Sequence, residues 1–265
     1  MASPNAIRAD ELSYRFRAPH GVEHQALRDV SFGVRLGEVV GVVGPSGAGK
    51  STLLNIVSNL LPADSGSISY PAFDRLPRIG YMFQSNSAFP WRTVEQNLTY
   101  ALEIRREPRP LRVRRANELC RLVGMDPDRH LSKYPKELSG GELRRVELGM
   151  ALADSPQLIL IDEPTSAVDW ITRRQLQSMI QELVVSSGAT VIFVTHDIEE
   201  SVWLSDRVLA LHDGTLADSI DVDLPRPRTD EMRTGVRFKQ LMDQVICSLT
   251  NGVRHATVTQ AWSRK

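Results

Sequence analysis

The sequence predicts an α/β fold with a mostly parallel core sheet. Apolar runs suited to strands buried on both faces stand at Val39–Val43, Leu158–Ile161 and Thr190–Thr195. Helical segments of about 10–15 residues alternate with these runs, as in parallel sheets built from strand–helix–strand units. The chain has 265 residues, of which 42% are hydrophobic, enough to form a substantial core.

Shorter extended segments surround this predicted core. Two near the N-terminus predict a small antiparallel sheet, and two that flank Asp213-Gly214 predict a hairpin. The extended segments are Ile7–Phe16, Leu27–Val34, Gly66–Tyr70, Ile79–Phe83, Val208–Leu211 and Thr215–Ile220.

Helices are predicted from apolar periodicity and from capping residues such as Thr93. The predicted helices are Val94–Ile104, Arg112–Val123, Gly141–Ala153, Thr172–Ser186 and Phe238–Leu249. We predict one domain over residues 1–225, with a helical insertion at about 85–140, and a helical tail over 226–265. The apolar stripe of the last helix suits packing onto that domain.

Composition narrows the range of functions. The chain carries 32 basic and 32 acidic residues, so a general attraction to nucleic acid is not indicated. Cys120 and Cys247 have neither metal-ligand nor disulfide spacing. No apolar run reaches the ~18 residues that a membrane-spanning helix needs, and the N-terminus lacks a secretory signal. The sequence therefore predicts a soluble or peripheral protein whose membrane role would depend on partners.

The stretch Val39–Leu54 carries the most specific signal. An apolar strand enters a glycine-rich loop that begins at Gly44, follows the pattern G-x-x-x-x-G-K-S, and opens a helix. Glycines let successive backbone N–H groups converge on a polyphosphate at a helix N-terminus, where the helix dipole favours negative charge. In such a loop Lys50 would reach the β- and γ-phosphates, and the Ser51 hydroxyl would ligate magnesium.

Polar side chains end three of the predicted strands. Asp162 and Glu163 follow an apolar strand, which predicts a carboxylate for magnesium and a second one to polarise the attacking water. Gln84 and His196 also follow strands, at the edge where such folds bind ligands, and either could reach a γ-phosphate, its metal or its water. A lone histidine at a strand end is usually an ordinary capping residue, and local sequence alone favours that interpretation of His196.

A second glycine-containing segment precedes another predicted helix. In the segment Leu138–Glu142, Ser139 and the two glycines Gly140 and Gly141 predict a second anion-binding helix N-terminus, one with no strand leading into it. One nucleotide cradle and one spare phosphate-binding helix end suggest a head-to-tail dimer in which each copy completes the other's site.

Together these motifs resemble those of the ATP-binding subunits of ABC transporters, over about residues 7–224. Gly44–Ser51 resembles the Walker A loop, Gln84 the Q-loop and Leu138–Glu142 the signature motif. Leu158–Asp162 with Glu163 resembles the Walker B strand and catalytic glutamate, residues 166–169 the D-loop, and His196 the switch histidine.

The resemblance implies an α/β P-loop NTPase that binds ATP and Mg2+ and hydrolyses ATP in a dimer. It implies catalytic roles for Glu163, His196 and Lys50, magnesium ligation by Ser51, Gln84 and Asp162, and adenine stacking on Phe16, with Tyr14 as the alternative. The remaining nucleotide-binding positions that it implies are Gly44, Pro45, Ser46, Gly47, Ala48, Gly49, Thr52, Ser139, Gly140, Gly141, Glu142 and Asp169. Glu142 stands where the family usually has Gln, and Met150 where it usually has Arg.

Three short segments resemble the nitrate, sulfonate and taurine importer branch: Phe83–Val94, His196–Ser201 and Leu224–Arg228. That likeness implies partner permease subunits, an external solute-binding protein, and a peripheral position on the cytoplasmic face of the inner membrane. The alternatives are the ATPase of an exporter or lipid-transport system, and a soluble ABC protein of translation or DNA repair. Three features of the sequence argue against a soluble ABC protein: it has a single nucleotide-binding cassette, it predicts no long coiled coil, and its formal net charge is zero. The solute, the permease and the role of the tail are not readable from the sequence.

Overall fold

A computed structural model describes residues 4–17, 23–166 and 168–262, with the backbone alone at 185–187 and beyond 250. Ala167, within the predicted D-loop, lies outside the described residues. The chain divides into two compact units, one formed by 1–76 with 190–265 and the other by 77–189. This division differs from the predicted domain boundaries, which stay a prediction.

Nine strands are found in the described residues. They are β1 (Asn5–Arg17), β2 (Glu23–Arg35), β3 (Val39–Val43), β4 (Ser65–Ser69), β5 (Ile79–Met82), β6 (Leu158–Asp162), β7 (Thr190–Thr195), β8 (Arg207–His212) and β9 (Thr215–Asp221). Each extended segment predicted from the sequence corresponds to one of them.

Ten α-helices occur in the same described ranges. They are α1 (Lys50–Val57), α2 (Val94–Leu98), α3 (Tyr100–Ile104), α4 (Arg109–Leu122), α5 (Pro127–His130), α6 (Gly140–Ala151), α7 (Trp170–Ser187), α8 (Ile198–Leu204), α9 (Asp230–Thr234) and α10 (Val236–Trp262). None of them is long and apolar enough to cross a membrane.

The first unit contains the predicted antiparallel sheet, in the strand order β2-β1-β4. Leu12 of β1 lies opposite Val30 of β2, and Ala9 opposite Ile68 of β4. Leu12, Val30 and Ala9 are all buried. The register of β1 against β2 shifts between Ala9 and Leu12, where Glu11 has φ 51°, so the strict alternation of faces is interrupted there.

The parallel strands of the first unit position its functional loops. β3 pairs in parallel with β7 and with β8, so that Val42 lies opposite both Val194 and Leu209. All residues of β3 and β7 are buried, as expected for strands covered on both faces. β8 and β9 form the predicted hairpin around Asp213-Gly214. The predicted α/β class is confirmed.

In the second unit β5 pairs in parallel with β6, and Gly80 lies opposite Ile159. A Cβ at Gly80 would lie 2.0 Å from the carbonyl oxygen of Ala151 at the end of α6. Only glycine allows that close approach of helix and strand.

The predicted helix Val94–Ile104 is divided in the structure into α2 and α3. Thr99, between them, leaves helical geometry at φ −107° and ψ 6°, and its hydroxyl donates to the Glu95 carbonyl at 2.8 Å. The Thr99 backbone N–H also donates to the Glu95 carbonyl, at 3.1 Å, so this one carbonyl accepts two bonds from Thr99, an arrangement that often bends a helix. The helix predicted at Arg112–Val123 begins earlier, at Arg109, because Pro110 is tolerated in a first turn.

The tail packs within the first unit. Phe238, Leu241 and Val245 of α10 are buried, and the Phe238 ring meets the Trp203 ring edge-on, with their centroids 6.0 Å apart. The apolar stripe predicted for the last helix is therefore buried by packing, as expected.

Candidate functional site

The glycine-rich loop lies in the first unit, between β3 and α1. Gly49 caps α1 with φ 94°, a left-handed conformation that favours glycine. A Cβ at this position would also lie 2.2 Å from the carbonyl oxygen of Ala26. Both conformation and space thus require glycine at the last loop position before Lys50.

Lys50 and the first turn of α1 form the part of the loop suited to phosphate. The Lys50 side chain is buried, and its Nζ donates to the carbonyls of Gly44 at 2.8 Å and Pro45 at 2.9 Å. The N-cap residue of α1 is Gly49, which has no side chain to cap the helix. The N–H groups of an uncapped first turn and a neighbouring ammonium are what a polyphosphate binds.

The predicted magnesium ligands supply oxygen atoms. Ser51 lies half-buried in the first turn of α1, and Asp162 ends β6 with only 5% of its surface exposed. Burial, with the charge of Asp162 as a smaller cause, raises the pKa of the Tyr81 hydroxyl above its ordinary value. A hydroxyl and a buried carboxylate are hard oxygen donors, which fit Mg2+.

Gln84 and Glu163 meet within the second unit. Gln84 is exposed just beyond β5, and its Nε2 donates to Glu163 Oε2 at 3.0 Å. Glu163 has φ 48°, a left-handed conformation uncommon for residues other than glycine. The Gln84 amide thus holds one oxygen of the Glu163 carboxylate in place. Two residues that the sequence placed at the ends of different strands therefore lie side by side in the structure.

The second glycine-containing segment forms the N-terminus of α6. The Ser139 hydroxyl accepts from the Glu142 backbone N–H at 3.2 Å, while Glu142 Oε2 accepts from the Ser139 backbone N–H at 2.8 Å. This is a capping box. The Ser139 N–H, as the largest cause, holds the pKa of Glu142 below its ordinary value, and the nearby His130 adds to this.

Asp169 caps α7. Its Oδ1 accepts from the backbone N–H groups of Ile171 and Thr172, at 3.0 and 3.1 Å, and its Oδ2 accepts from the Thr172 hydroxyl at 2.6 Å. The Thr172 hydroxyl is the main cause of a lowered pKa for Asp169. The Asp169 carboxylate is thus fixed at the exposed N-terminus of α7.

His196 is exposed at the end of β7, in the first unit. The residues on either side fix its backbone: the Asp197 N–H donates to the Thr195 hydroxyl at 3.0 Å, and that hydroxyl donates to the buried Glu200 at 2.7 Å. Asp197 itself caps α8. The sequence predicted the strand end but not this supporting network.

The two aromatic candidates for adenine stacking differ in exposure. Phe16 is 47% exposed on β1, whereas Tyr14 is half-buried. Their rings meet edge-on, with the centroids 4.9 Å apart. Phe16 therefore presents the more accessible face, and both assignments stay predictions.

The arginines of the Pro-Arg-Pro-Arg segment have a structural role that the sequence analysis missed. Arg228 is buried and donates to the carbonyls of Val202, Trp203 and Ser205 at 2.6 to 3.0 Å, and Arg226 donates to the Leu204 carbonyl. Burial lowers the pKa of Arg228 to about 10, so it remains a cation at neutral pH. Cations are favourable at a helix C-terminus, here that of α8. The spacing of two arginines by one proline is the only signal that the sequence offers.

Met150, where the family usually has Arg, does not disturb the helix that begins with the signature segment. α6 is continuous over Gly140–Ala151, and Val146 and Leu148 are buried. A Cβ at Gly149 would lie 2.6 Å from the Leu98 side chain, so α6 and α2 pack closely there. The departure at Met150 is compatible with regular packing.

Comparison with known proteins agrees with these features. The ABC transporter family model matches residues 27–166. A nitrate import ATP-binding protein of Synechococcus elongatus is 38% identical over 91% of this chain, although the match spans only 38% of that protein. An aliphatic sulfonates import ATP-binding protein of Shouchella clausii is 36% identical over 83% of both proteins, and a taurine import ATP-binding protein of Roseobacter denitrificans is 37% identical over 76% of both.

Solved structures show the same fold. A dimeric post-hydrolysis state of an ATP-binding cassette bound to ADP and Pi has a TM-score of 0.73 and 28% identity, covering 83% of this chain and 100% of that chain. The dimeric structure of a bacterial ABC transporter cassette has a TM-score of 0.74 and 29% identity, with the same coverage. The resemblance found in the sequence is confirmed: the chain belongs to the ABC transporter family and is an ATPase of the ABC type.

Proposed function

We propose that this chain is the ATP-hydrolysing subunit of an importer that takes up a small anion of the nitrate, sulfonate or taurine type. The observation that carries the proposal is the match to the sulfonates import protein over 83% of both chains. The nitrate and taurine import proteins support the same branch. Separate membrane subunits would provide the pathway for the solute.

ATP binding is assigned mainly to the first unit. Lys50 neutralises the β- and γ-phosphates, the N–H groups of the loop and of α1 hold their oxygens, and Phe16 stacks on adenine. The buried ammonium and the uncapped helix start support this assignment. The loop residues involved are Gly44, Pro45, Ser46, Gly47, Ala48, Gly49, Ser51 and Thr52.

Hydrolysis is assigned to Glu163, which polarises the attacking water, with His196 at the γ-phosphate. Ser51, Asp162 and Gln84 would hold Mg2+, which when bound would neutralise charge on the phosphate oxygens. The Gln84 amide orients the Glu163 carboxylate, since the two side chains are 3.0 Å apart. A base held in position by a hydrogen bond is favourable for proton transfer.

Two copies would act as a head-to-tail dimer. Ser139, Gly140, Gly141 and Glu142 of one copy would face the γ-phosphate bound by the other, and Asp169 would lie near the same junction. ATP binding would close the dimer, and hydrolysis would open it by removing the bridging charge. That similar solved cassettes are dimeric supports a dimer.

Closure is useful to transport only when it moves a membrane subunit. We place the chain at the cytoplasmic face of the inner membrane, bound to two permease subunits and acting indirectly with an external solute-binding protein. Purification of the tagged chain from gently solubilised membranes tests this assignment. A polytopic membrane protein in one-to-one ratio supports it, whereas ribosomal or DNA-associated partners would contradict it and leave the ATPase intact.

The hydrolytic role is tested with Glu163→Gln. This variant should bind ATP and accumulate as a dimer without turnover, because the amide keeps the shape of the side chain but cannot take up a proton. Glu182→Gln, on the exposed face of α7, is the matched control and should hydrolyse ATP normally. Normal turnover by Glu163→Gln would refute the assignment.

A further inference from the structure

Two charged residues of α6 form an ion pair that the assigned roles do not use. Arg144 Nη1 and Glu147 Oε2 are 2.9 Å apart, and their side chains are only 6% and 0% exposed. They lie three residues apart, on one face of the helix. A buried charge is tolerated only when it is paired and hydrogen-bonded, so each residue depends on the other.

The Arg144 guanidinium joins two functional segments. Its Nη1 donates to the Phe83 carbonyl at 3.0 Å, directly before Gln84, and its Nη2 donates to the Glu163 carbonyl at 3.0 Å. Nη2 also donates to the Ser166 hydroxyl at 3.3 Å. One planar group therefore contacts both the residue before Gln84 and the backbone of Glu163.

Glu147 holds the C-terminal side of the segment 83–87, which we call the Gln84 loop. Its Oε1 accepts from the Ser87 backbone N–H at 2.6 Å, while its Oε2 is paired with Arg144. Gln84 thus lies between two backbone positions, Phe83 and Ser87, that are both fixed to α6. The loop has little freedom to move independently of the helix.

The Glu163 backbone is held in an unfavourable conformation. Its φ of 48° is costly for a residue with a Cβ. The Glu163 carbonyl accepts from the Ser166 N–H and hydroxyl as well as from Arg144. Three donors on one carbonyl stabilise a turn that directs the Glu163 side chain towards Gln84.

We propose that Arg144 and Glu147 are positioning residues for ATP hydrolysis. They fix the Gln84 loop and the Glu163 turn to α6, so that an event at the start of α6, where Ser139–Glu142 lie, is transmitted to the alignment of Gln84 and Glu163. The inference rests on the role proposed for Glu163. Arg144 touches no reacting atom and acts through these two segments.

Arg144→Lys is the most informative variant. Lysine keeps the positive charge beside Glu147, but one ammonium does not reproduce the planar fork that serves two carbonyls at once. We expect kcat to fall at least about tenfold while nucleotide affinity changes less than about twofold, since alignment rather than binding is lost.

Arg145→Lys is the matched control on the same helix. Arg145 bonds to the Gly124 carbonyl and to Gln175, away from both loops, so its kcat should stay within about twofold of wild type. Melting curves of both variants identify the folded fraction at the assay temperature. The inference is overturned when Arg144→Lys turns over like Arg145→Lys, or when its loss of activity equals its loss of folded protein.

A second measurement separates positioning from assembly. Arg144→Lys combined with Glu163→Gln should form the ATP-dependent dimer as readily as Glu163→Gln alone. Failure to dimerise would place the defect in nucleotide binding or assembly and overturn the positioning role. Normal turnover by Glu163→Gln alone would instead refute the role of Glu163, an outcome distinct from any result with Arg144→Lys.

Discussion

The N-termini of α1 and α6 both follow glycine-containing segments, but they are built differently. α1 follows a buried strand, has no side-chain cap, and begins with a buried lysine. α6 follows no strand and is capped by its own Ser139 and Glu142. The first helix start presents positive charge to a ligand, whereas the second already holds a carboxylate.

This difference has a consequence for anion binding. A phosphate near α1 meets an ammonium and unshielded N–H groups, which is sufficient for binding. A phosphate near α6 meets the charge of Glu142, whose Oε1 lies 3.2 Å from His130 Nε2. We therefore expect α1 to bind nucleotide by itself and α6 only to complete a site in the dimer.

Of the variants that test this difference between α1 and α6, removal of the Lys50 side chain should have the largest effect on ATP hydrolysis. We expect Lys50→Ala to lower kcat for ATP hydrolysis by about 10²-fold or more, since preorganised charge at a transferring phosphoryl group is a large catalytic term. Phosphate release under saturating ATP measures it. Lys239→Ala, exposed on α10, is the control. Turnover close to wild type in Lys50→Ala would mean that α1 is not the phosphate site.

Gly140→Ala tests whether another surface approaches α6. Apart from its chain neighbours and the backbone of its own helix, a Cβ at Gly140 meets no atom of the described residues within 4 Å, so the fold should tolerate it. Turnover should fall about tenfold, through loss of the ATP-dependent dimer, because the methyl group intrudes only on a docked partner.

Gly141→Ala is the contrasting variant for that experiment. Its Cβ would lie 2.5 Å from Thr172 Cγ2, so the melting temperature itself should fall. Wild-type dimerisation by Gly140→Ala would argue against a partner at the start of α6.

Glu142→Gln should make the N-terminus of α6 more favourable for an anion, as the N-terminus of α1 already is. Gln preserves the capping box but removes the negative charge that an approaching phosphate meets. The ATP concentration for half-maximal dimerisation should fall about two- to fivefold, the range expected for one charge at a helix N-terminus. Sedimentation velocity against ATP concentration measures it. A weaker dimer would show that the Glu142 charge assists binding.

The smallest expected effect is on pH-dependent stability. The pKa of Glu142 is lowered in the folded state, so its stabilisation is present above the ordinary value of 4.5 and is lost as pH falls through the folded-state pKa. Wild type should exceed Glu142→Gln by about 0.3–1 kcal/mol in free energy of unfolding at neutral pH. Urea denaturation from pH 7 down to 3 should show this difference vanish with acid; a constant difference would contradict it.

The candidate nucleotide site could be located from the sequence because its motifs are continuous. The loop at Gly44–Ser51 needs glycines, a lysine and flanking apolar runs, all visible together. Strands β6 and β7 could be predicted because full burial requires uninterrupted apolar residues. The helix break at Thr99 was missed, since apolar periodicity carries no signal for a single residue that leaves helical φ and ψ inside a periodic segment.

The buried arginines were beyond the reach of sequence reasoning. Arg144 stands among charged residues of α6, and nothing in that local pattern indicates its contacts with Phe83 and Glu163, which are distant in sequence. Arg228 lies in a proline-spaced tail and caps α8. Pattern alone does not distinguish an exposed arginine from one whose guanidinium satisfies buried carbonyls.

The sequence by itself determined the fold class, the order of the motifs and the chemical type of each candidate group, because local spacing and apolar periodicity encode them. Only the tertiary structure decided which partners hold those groups in place. The Gln84 side chain bonds to that of Glu163, Arg144 bonds to the Phe83 and Glu163 carbonyls, and Arg228 of the tail bonds to the Ser205 carbonyl at the end of α8. The physical reason is that burial leaves no water for carbonyls and charges. Their partners are therefore set by whichever donors the packing brings within about 3 Å.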